Sequence, residues 1–306
     1  MAQGRILTAY LMLTLSYLCE LAAQYREDLL VHVKEFDVAG HFLAFNSRPA
    51  LMGVINLSPD SWYRESVCLT VESAVRRGRV LTAQGADLVD IGAESTLAHA
   101  ARVDPQGQKD RLLPIIRALH DAGVRISVET YEPAVAAACL ASGAHVLNLT
   151  GPSTHEEMYR LASDHQAAVI ICYVQGPNVR EVGDFNFGAD PIEQMLEFFS
   201  RELEKAARAG LHRIFLDPGL GFYYRNLQDS SLRIRFQMRT FLNTFRLRRL
   251  GFPVCHALPH AFEFFREEVR CAEPYYAMLA VLGRTDLLRT HEIPRVRAVV
   301  QSLDCF

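Results

Sequence analysis

From residue 51 onward the chain repeats one hydropathic unit: a helical stretch closes at a glycine, and a short apolar run follows at once. It reads TAQGADLVDIG over 82–92, LHDAGVRISVET over 119–130, CLASGAHVLNLT over 139–150, AARAGLHRIFLD over 206–217 and RRLGFPVCHA over 248–257. Gly85, Gly123, Gly143, Gly210 and Gly251 stand where a left-handed residue is expected to end each helix, a conformation that only glycine adopts freely. The runs behind them are short and continuously apolar, as parallel strands covered on both faces are.

Strands are predicted at 51–56, 86–91, 125–130, 145–148, 168–174, 213–217, 253–257 and 286–290, with helical segments between them. Eight β/α units in about 250 residues is the arithmetic of a (β/α)8 TIM barrel. A doubly wound sheet is the alternative, but no glycine-rich phosphate loop follows the first strand. VHVKEFDVAGHFLAF, 31–45, reads as a hairpin closing the bottom of the barrel. No Pro/Gly/Ser-rich linker interrupts the chain. The expectation is therefore an N-terminal extension over 1–44, helix then hairpin, and a barrel over 45–306.

The stretch Ile6 to Cys19 is strongly apolar, but Thr8, Thr14 and Ser16 interrupt it and no clean cleavage signal follows. It is too short and too polar for a membrane span. It is expected to be an accessory helix, packed on the protein or on a protein partner.

Barrel geometry assigns chemistry by position, since the C-terminal ends of the strands form the mouth. In LMGVINLSPDSW, 51–62, a dry strand runs into Asn56 and then a polar loop, as the rim of a site would. The other strand-end polar residues are Glu94, Ser95 and Thr96, then Glu129, Asn148 and Asp217, and finally Arg289 and His291. Glu129, Asn148 and Asp217 offer paired acceptors and an amide, which suits a flat heterocycle with an amino-pyrimidinone edge. Asn56, Thr96, Arg289 and His291 form a donor-rich set suited to phosphate oxygens, with Arg and protonated His making charge-assisted bonds.

Composition narrows the partners. Net charge is −3, with 32 Lys and Arg against 35 Asp and Glu, which argues against nucleic-acid binding. The seven cysteines are scattered without a CxxC pair, consistent with free thiols in a reducing, cytoplasmic setting and without a zinc-type ligand cluster. His256 and His260 flank a proline in HALPH; this is not a helical metal pair, and pocket lining is the favoured role.

Six segments together resemble the dihydropteroate synthase family, a pterin-binding barrel: MGVINLSPDSW, DIGAEST (90–96), SVETY (127–131), LNLTG (147–151), LDPGLGF (216–222) and LRTHE (288–292). The resemblance spans roughly residues 45–303. It implies that Glu129, Asn148 and Asp217 hold a pterin or folate ring. It also implies that Asn56, Thr96, Arg289 and His291 hold the diphosphate leaving group, with Mg2+ at Asn56. The implied reaction ionises a hydroxymethyl-dihydropterin diphosphate, and an arylamine, p-aminobenzoate, captures the cation. Glu129, Asp217 and Asn56 are the implied catalytic groups, and a cytoplasmic homodimer is the implied assembly.

The departures from the family pattern cluster. Leu97-Ala98-His99 stand where the family has Arg-Pro-Gly, and Tyr223 and Tyr224 follow Phe222 where it has Gly-Lys. Pro259-His260-Ala261 replace the seventh-strand Ser-Arg-Lys, whose Lys touches the pterin in the family and whose Ser helps bind the p-aminobenzoate carboxylate. Glu129 replaces a shorter Asp, moving its carboxylate by about 1.5 Å, enough to matter for catalytic alignment. A transferase with a changed acceptor is the leading expectation. A folate-dependent one-carbon transferase and a non-catalytic pterin-binding subunit are the alternatives.

Overall fold

The computed structural model describes residues 12–61, 63–95, 101–222 and 224–305. Its centre is a sheet of eight strands: β3 (Ala50–Asn56), β4 (Leu88–Gly92), β5 (Ile126–Glu129), β6 (Val146–Leu149), β7 (Ala168–Cys172), β8 (Ile214–Asp217), β9 (Cys255–Ala257) and β10 (Leu287–Thr290). Every adjacent pair is parallel, and β10 lies between β3 and β9. A parallel bridge from Leu216 to Val254 joins β8 to the β9 edge, closing the (β/α)8 barrel. Regular pairing of β9 starts late, because Pro253 has no N–H and contributes only its carbonyl, which accepts from Leu216 N at 2.9 Å.

Helices connect the strands as expected: α2 (Val71–Ala83), α3 (Pro105–Asp121), α4 (Pro133–Ala141), α5 (His155–Asp164), α6 (Pro191–Arg208), α7 (Ser230–Leu247), the short α8 (Phe262–Phe265), α9 (Ala272–Leu282) and α10 (Ile293–Leu303). Their starts carry local signals. Thr70 and Ser73 close α2 in a reciprocal capping box, and Asp104, Asp190 and Asp229 cap α3, α6 and α7 through their side chains. Among the helix-ending glycines, Gly85 has φ +107° and Gly143 φ +103°, which a side chain would strain.

Alternation along the strands splits the core in two. Ile55, Val89, Ile91, Val128 and Leu147 face outward into one apolar layer under the helices. Met52, Leu88, Val146, Ile170, Phe215, Cys255 and Leu287 fill the barrel interior. The N-terminal hairpin, β1 (Phe36–Val38) paired antiparallel with β2 (His41–Leu43), plugs the bottom. Phe36 and Phe45 stack edge-on against Phe215 at 5.1 and 5.4 Å. The barrel floor is thus apolar, and polar chemistry is confined to the other end.

The first helix, α1, runs Leu15–Gln24 with Thr14 as its N-cap, and buries Tyr17 and Leu21 against the barrel helices. Residues 6–11 of the predicted apolar helix lie outside the described residues. No helix among the described residues is long and apolar enough to cross a membrane.

Candidate active site

Strand register assembles the site. Asn56 pairs with Gly92, Gly92 with Glu129, and Glu129 with Asn148, so three predicted polar groups sit at one level of adjacent strands. Asp217 pairs with Cys172 on the far side. Asn56, Glu129, Asn148, Asp217, Arg289 and His291 all line one cavity of about 360 Å³ at the C-terminal mouth. Thr96, Leu97, Ala98, His99 and Tyr223 lie outside the described residues.

Asp217 ends β8 almost fully buried. Its Oδ1 accepts from the backbone N of Gly219 at 2.8 Å, and its Oδ2 lies 3.8 Å from Cys172 Sγ. Gly219 has φ +74°, and a Cβ there would fall 2.2 Å from the Tyr173 carbonyl oxygen, so the tight turn that anchors Asp217 requires glycine. Desolvation raises Asp217 to about pKa 6, against the opposing pull of the Gly219 N–H and Arg289. Glu129 is also raised, first by desolvation and then by the Asp90 and Asp217 charges, with Arg289 opposing.

A further residue, Asp90, binds these groups together. It is completely buried at the layer below the mouth. Its Oδ1 accepts from Ser127 Oγ at 2.6 Å, and its Oδ2 accepts from Asn148 Nδ2 at 3.2 Å and Arg289 Nε at 2.7 Å. Arg289 Nη2 continues to Glu129 Oε2 at 2.8 Å. The arginine therefore spans two carboxylates instead of facing an open phosphate pocket alone, because a buried Asp90 needs a countercharge.

His291 also differs from expectation. Burial lowers it to about pKa 3, with Arg289 and Arg77 adding to the shift, so it acts as a neutral ring and not as a cation. Its Nδ1 lies 2.7 Å from Glu273 Oε1 on α9. His260 lines the cavity as predicted, but His256 does not. His256 is fully buried, with Nε2 2.7 Å from Thr244 Oγ1 and its ring against Phe241. Tyr224 is buried too, accepting from Gln175 N at 3.0 Å and packing on Phe185, so it fills space behind the wall.

One side of the cavity, where the family resemblance puts the acceptor, is lined by Leu258, Pro259, His260, Ala261 and Phe262. Arg233 from α7 enters beside them, with Nη2 donating to Glu263 Oε1 at 2.6 Å. Sequence reading missed Asp90, Arg233 and Glu273. Asp90 carried a signal, since a charged residue inside the apolar run LVDIG must find a partner. Arg233 and Glu273 lie within helices, where a charged residue is ordinary.

A closed parallel barrel with converging carboxylates, an amide and a guanidinium at its C-terminal mouth defines a barrel enzyme with a polar small-molecule site. The chain belongs to the pterin-binding enzyme family, whose pattern matches residues 52–254. It is similar to the dihydropteroate synthase of Synechocystis sp., 26% identical over 85% of this chain and 91% of that protein. A folate synthesis bifunctional protein of Arabidopsis thaliana is 31% identical over 60% of this chain, which spans 40% of that longer protein. Among solved structures, the Xanthomonas albilineans dihydropteroate synthase with 4-aminobenzoic acid superposes with a TM-score of 0.75 at 27% identity, covering 89% of this chain and 98% of that one. The chain is a pterin-binding transferase.

Proposed function

We propose that this chain transfers the methylene of a dihydropterin diphosphate to an acceptor other than free p-aminobenzoate. The observation that carries this is a split cavity. The heterocycle side keeps Glu129 and Asn148 in register with Asp217 lining the same cavity, while the acceptor side is Pro259, His260, Ala261 and Phe262. Asp217 would accept two N–H bonds from the pterin edge, and Asn148 would supply one donor and one acceptor. Asn56, Thr96, Arg289 and His291 would hold the diphosphate, Arg289 as the cation and His291 as a neutral partner. Glu129, Asp217 and Asn56 are the catalytic assignments: the carboxylates stabilise positive charge left on the pterin methylene as the diphosphate departs.

The donor set fits Mg2+ as a substrate-borne ion. Asn56 Nδ2 donates to Ser66 Oγ at 2.7 Å, which leaves its amide oxygen for a hard cation. One protein oxygen plus phosphate oxygens and waters is a common Mg2+ arrangement. The ion would neutralise diphosphate charge. A cytoplasmic homodimer is carried over from the family resemblance, and a protein partner at the N-terminal helix remains part of the proposal. Light scattering giving a monomer would remove the dimer.

Incubating the protein with a hydroxymethyl-dihydropterin diphosphate and following pyrophosphate release tests the reading. Release that depends on Asp217 is expected. No release, with no pterin binding by calorimetry, overturns it. Pterin binding without release points to the two alternatives, a one-carbon transferase or a non-catalytic pterin-binding subunit.

A further inference from the structure

Beside the diphosphate assignment lies a group of which the reaction above uses only His291. His260 and His291 project from the ends of β9 and β10, and Glu273 comes from the first turn of α9. One nitrogen of each ring and one Glu273 oxygen all lie within 4.8 Å of one another. Glu273 is held rigidly: its Oε2 accepts from the Thr290 hydroxyl, from His291 N at 2.8 Å and from Glu292 N at 3.1 Å. That leaves Oε1 facing both rings, 2.7 Å from His291 Nδ1 and 3.4 Å from His260 Nδ1. Tyr63 stacks on both imidazoles, at 5.0 and 4.7 Å, and fixes their planes.

Two features of this group are unexplained by hydrogen bonding. His260 Nδ1 is buried and makes no hydrogen bond, despite its closeness to Oε1. Glu273 is a buried carboxylate whose ion-pair contacts among the described residues are these two rings alone. Nearby Arg289 is already matched by Asp90 and Glu129, and Arg270 by Glu292 and Glu65. A divalent cation among the three would satisfy the orphan nitrogen and give Glu273 Oε1 a cationic partner.

We propose that His260, Glu273 and His291 bind a borderline divalent transition-metal ion of the zinc type, with its fourth position open to the cavity. Two imidazoles and a carboxylate are the ligand set of open zinc sites. The 3.4 Å separation of His260 Nδ1 and Glu273 Oε1 matches the edge of a tetrahedron with bonds of roughly 2.0–2.1 Å. The His291 contact has to lengthen by about 0.6 Å to reach the same edge, and loading displaces the proton shared between His291 Nδ1 and Glu273. Nitrogen donors exclude Mg2+ as the preferred occupant, so this site is distinct from the Asn56 assignment. Sequence spacing does not reveal it, because the three ligands come from two strand ends and a helix.

The test uses the full chain stripped with a chelator. Zn2+ is titrated by calorimetry, Co2+ by visible absorption, and melting is followed with and without Zn2+. The expected result is one ion per chain, a cobalt spectrum of four-coordinate nitrogen and oxygen ligands, and a zinc-raised melting temperature. His260→Ala should melt normally without metal and bind zinc at least about tenfold more weakly. No saturable binding overturns the proposal. So does equal binding by His260→Ala, or a cobalt spectrum with thiolate bands, which would move the ion to one of the exposed cysteines, Cys19, Cys271 or Cys305. The wild-type spectrum decides the ligand type even if the variant fails to fold. Pterin calorimetry on the stripped protein separates this outcome from the fate of the pterin reading.

Discussion

Asp217 concentrates the residue-scale chemistry, because its carboxylate is desolvated yet fixed by the Gly219 N–H. Asp217→Asn replaces one of two acceptors with a donor that meets pterin N–H groups head-on, costing roughly 1–3 kcal/mol. Calorimetry should show pterin affinity falling by more than tenfold, and equal affinity would remove the assignment. The same residue sets a pH dependence. Its pKa is raised from 3.8 to about 6, so the ionised acceptor is present above pH 6 and is lost as pH falls through that value. Pterin affinity should therefore drop about tenfold per unit below pH 6, the slope for uptake of one proton. The Asp217→Asn variant should lose the Asp217 share of that step and keep the share of Glu129, which burial also raises. These residues were readable in the sequence because strand ends of a barrel face its mouth. Asp90 was readable only as a charge in need of a partner, since a single aspartate in LVDIG says nothing about which of two strand faces it takes. The burial of His256 was equally hidden, because the HALPH loop leaves the strand between the two histidines and only His260 reaches the cavity.

Element by element, the glycine-ended helices and short apolar runs placed all eight strands within a few residues. Helix capping and strand burial are local, and local physics survives in a single sequence. Contacts between elements do not. The joint of α7, β9 and β10 depends on Arg248, whose Nη1 donates to Asp286 and whose Nη2 donates to Asn46 Oδ1 at 2.7 Å. Asp286 Oδ2 accepts from Val254 N at 2.8 Å, and Asn46 Oδ1 accepts from Val33 N at 3.0 Å, so one cation ties the barrel floor to the hairpin. The Arg248 and Asp286 side chains are both essentially fully buried. Arg248→Met leaves the Asp286 carboxylate without its countercharge, and urea unfolding should show a loss of about 3–5 kcal/mol. Arg248→Met combined with Asp286→Leu should recover much of it, because removing both charges removes the desolvation problem. A single-variant loss below about 1 kcal/mol, the level of an exposed pair, would show that the pair is not what joins these elements.

At the scale of the whole molecule the cavity is two half-sites with different supports. The heterocycle half rests on hydrogen bonds between strand ends, which any substitution would break in several places at once. The acceptor half rests on loops after β8 and β9, where replacement is cheap in stability. A p-aminobenzoate carboxylate entering this half meets Pro259, Ala261 and Phe262, with Arg233 as the cation lining that wall among the described residues. Arg233 is already bound to Glu263 at 2.6 Å and to the Leu227 and Gln228 carbonyls. Freeing it leaves Glu263 beside the incoming carboxylate, and like charges there oppose binding. Losing two favourable contacts of roughly 2 kcal/mol each amounts to about a thousandfold in rate. The predicted outcome is slow dihydropteroate formation from p-aminobenzoate and poor sulfonamide binding, while pyrophosphate release from the pterin diphosphate persists. Glu263→Gln removes the competing carboxylate and should raise p-aminobenzoate turnover several-fold. Wild-type turnover at ordinary synthase rates, or rescue of a strain lacking its own synthase, would show that Arg233 already serves the arylamine acid and that the acceptor is unchanged.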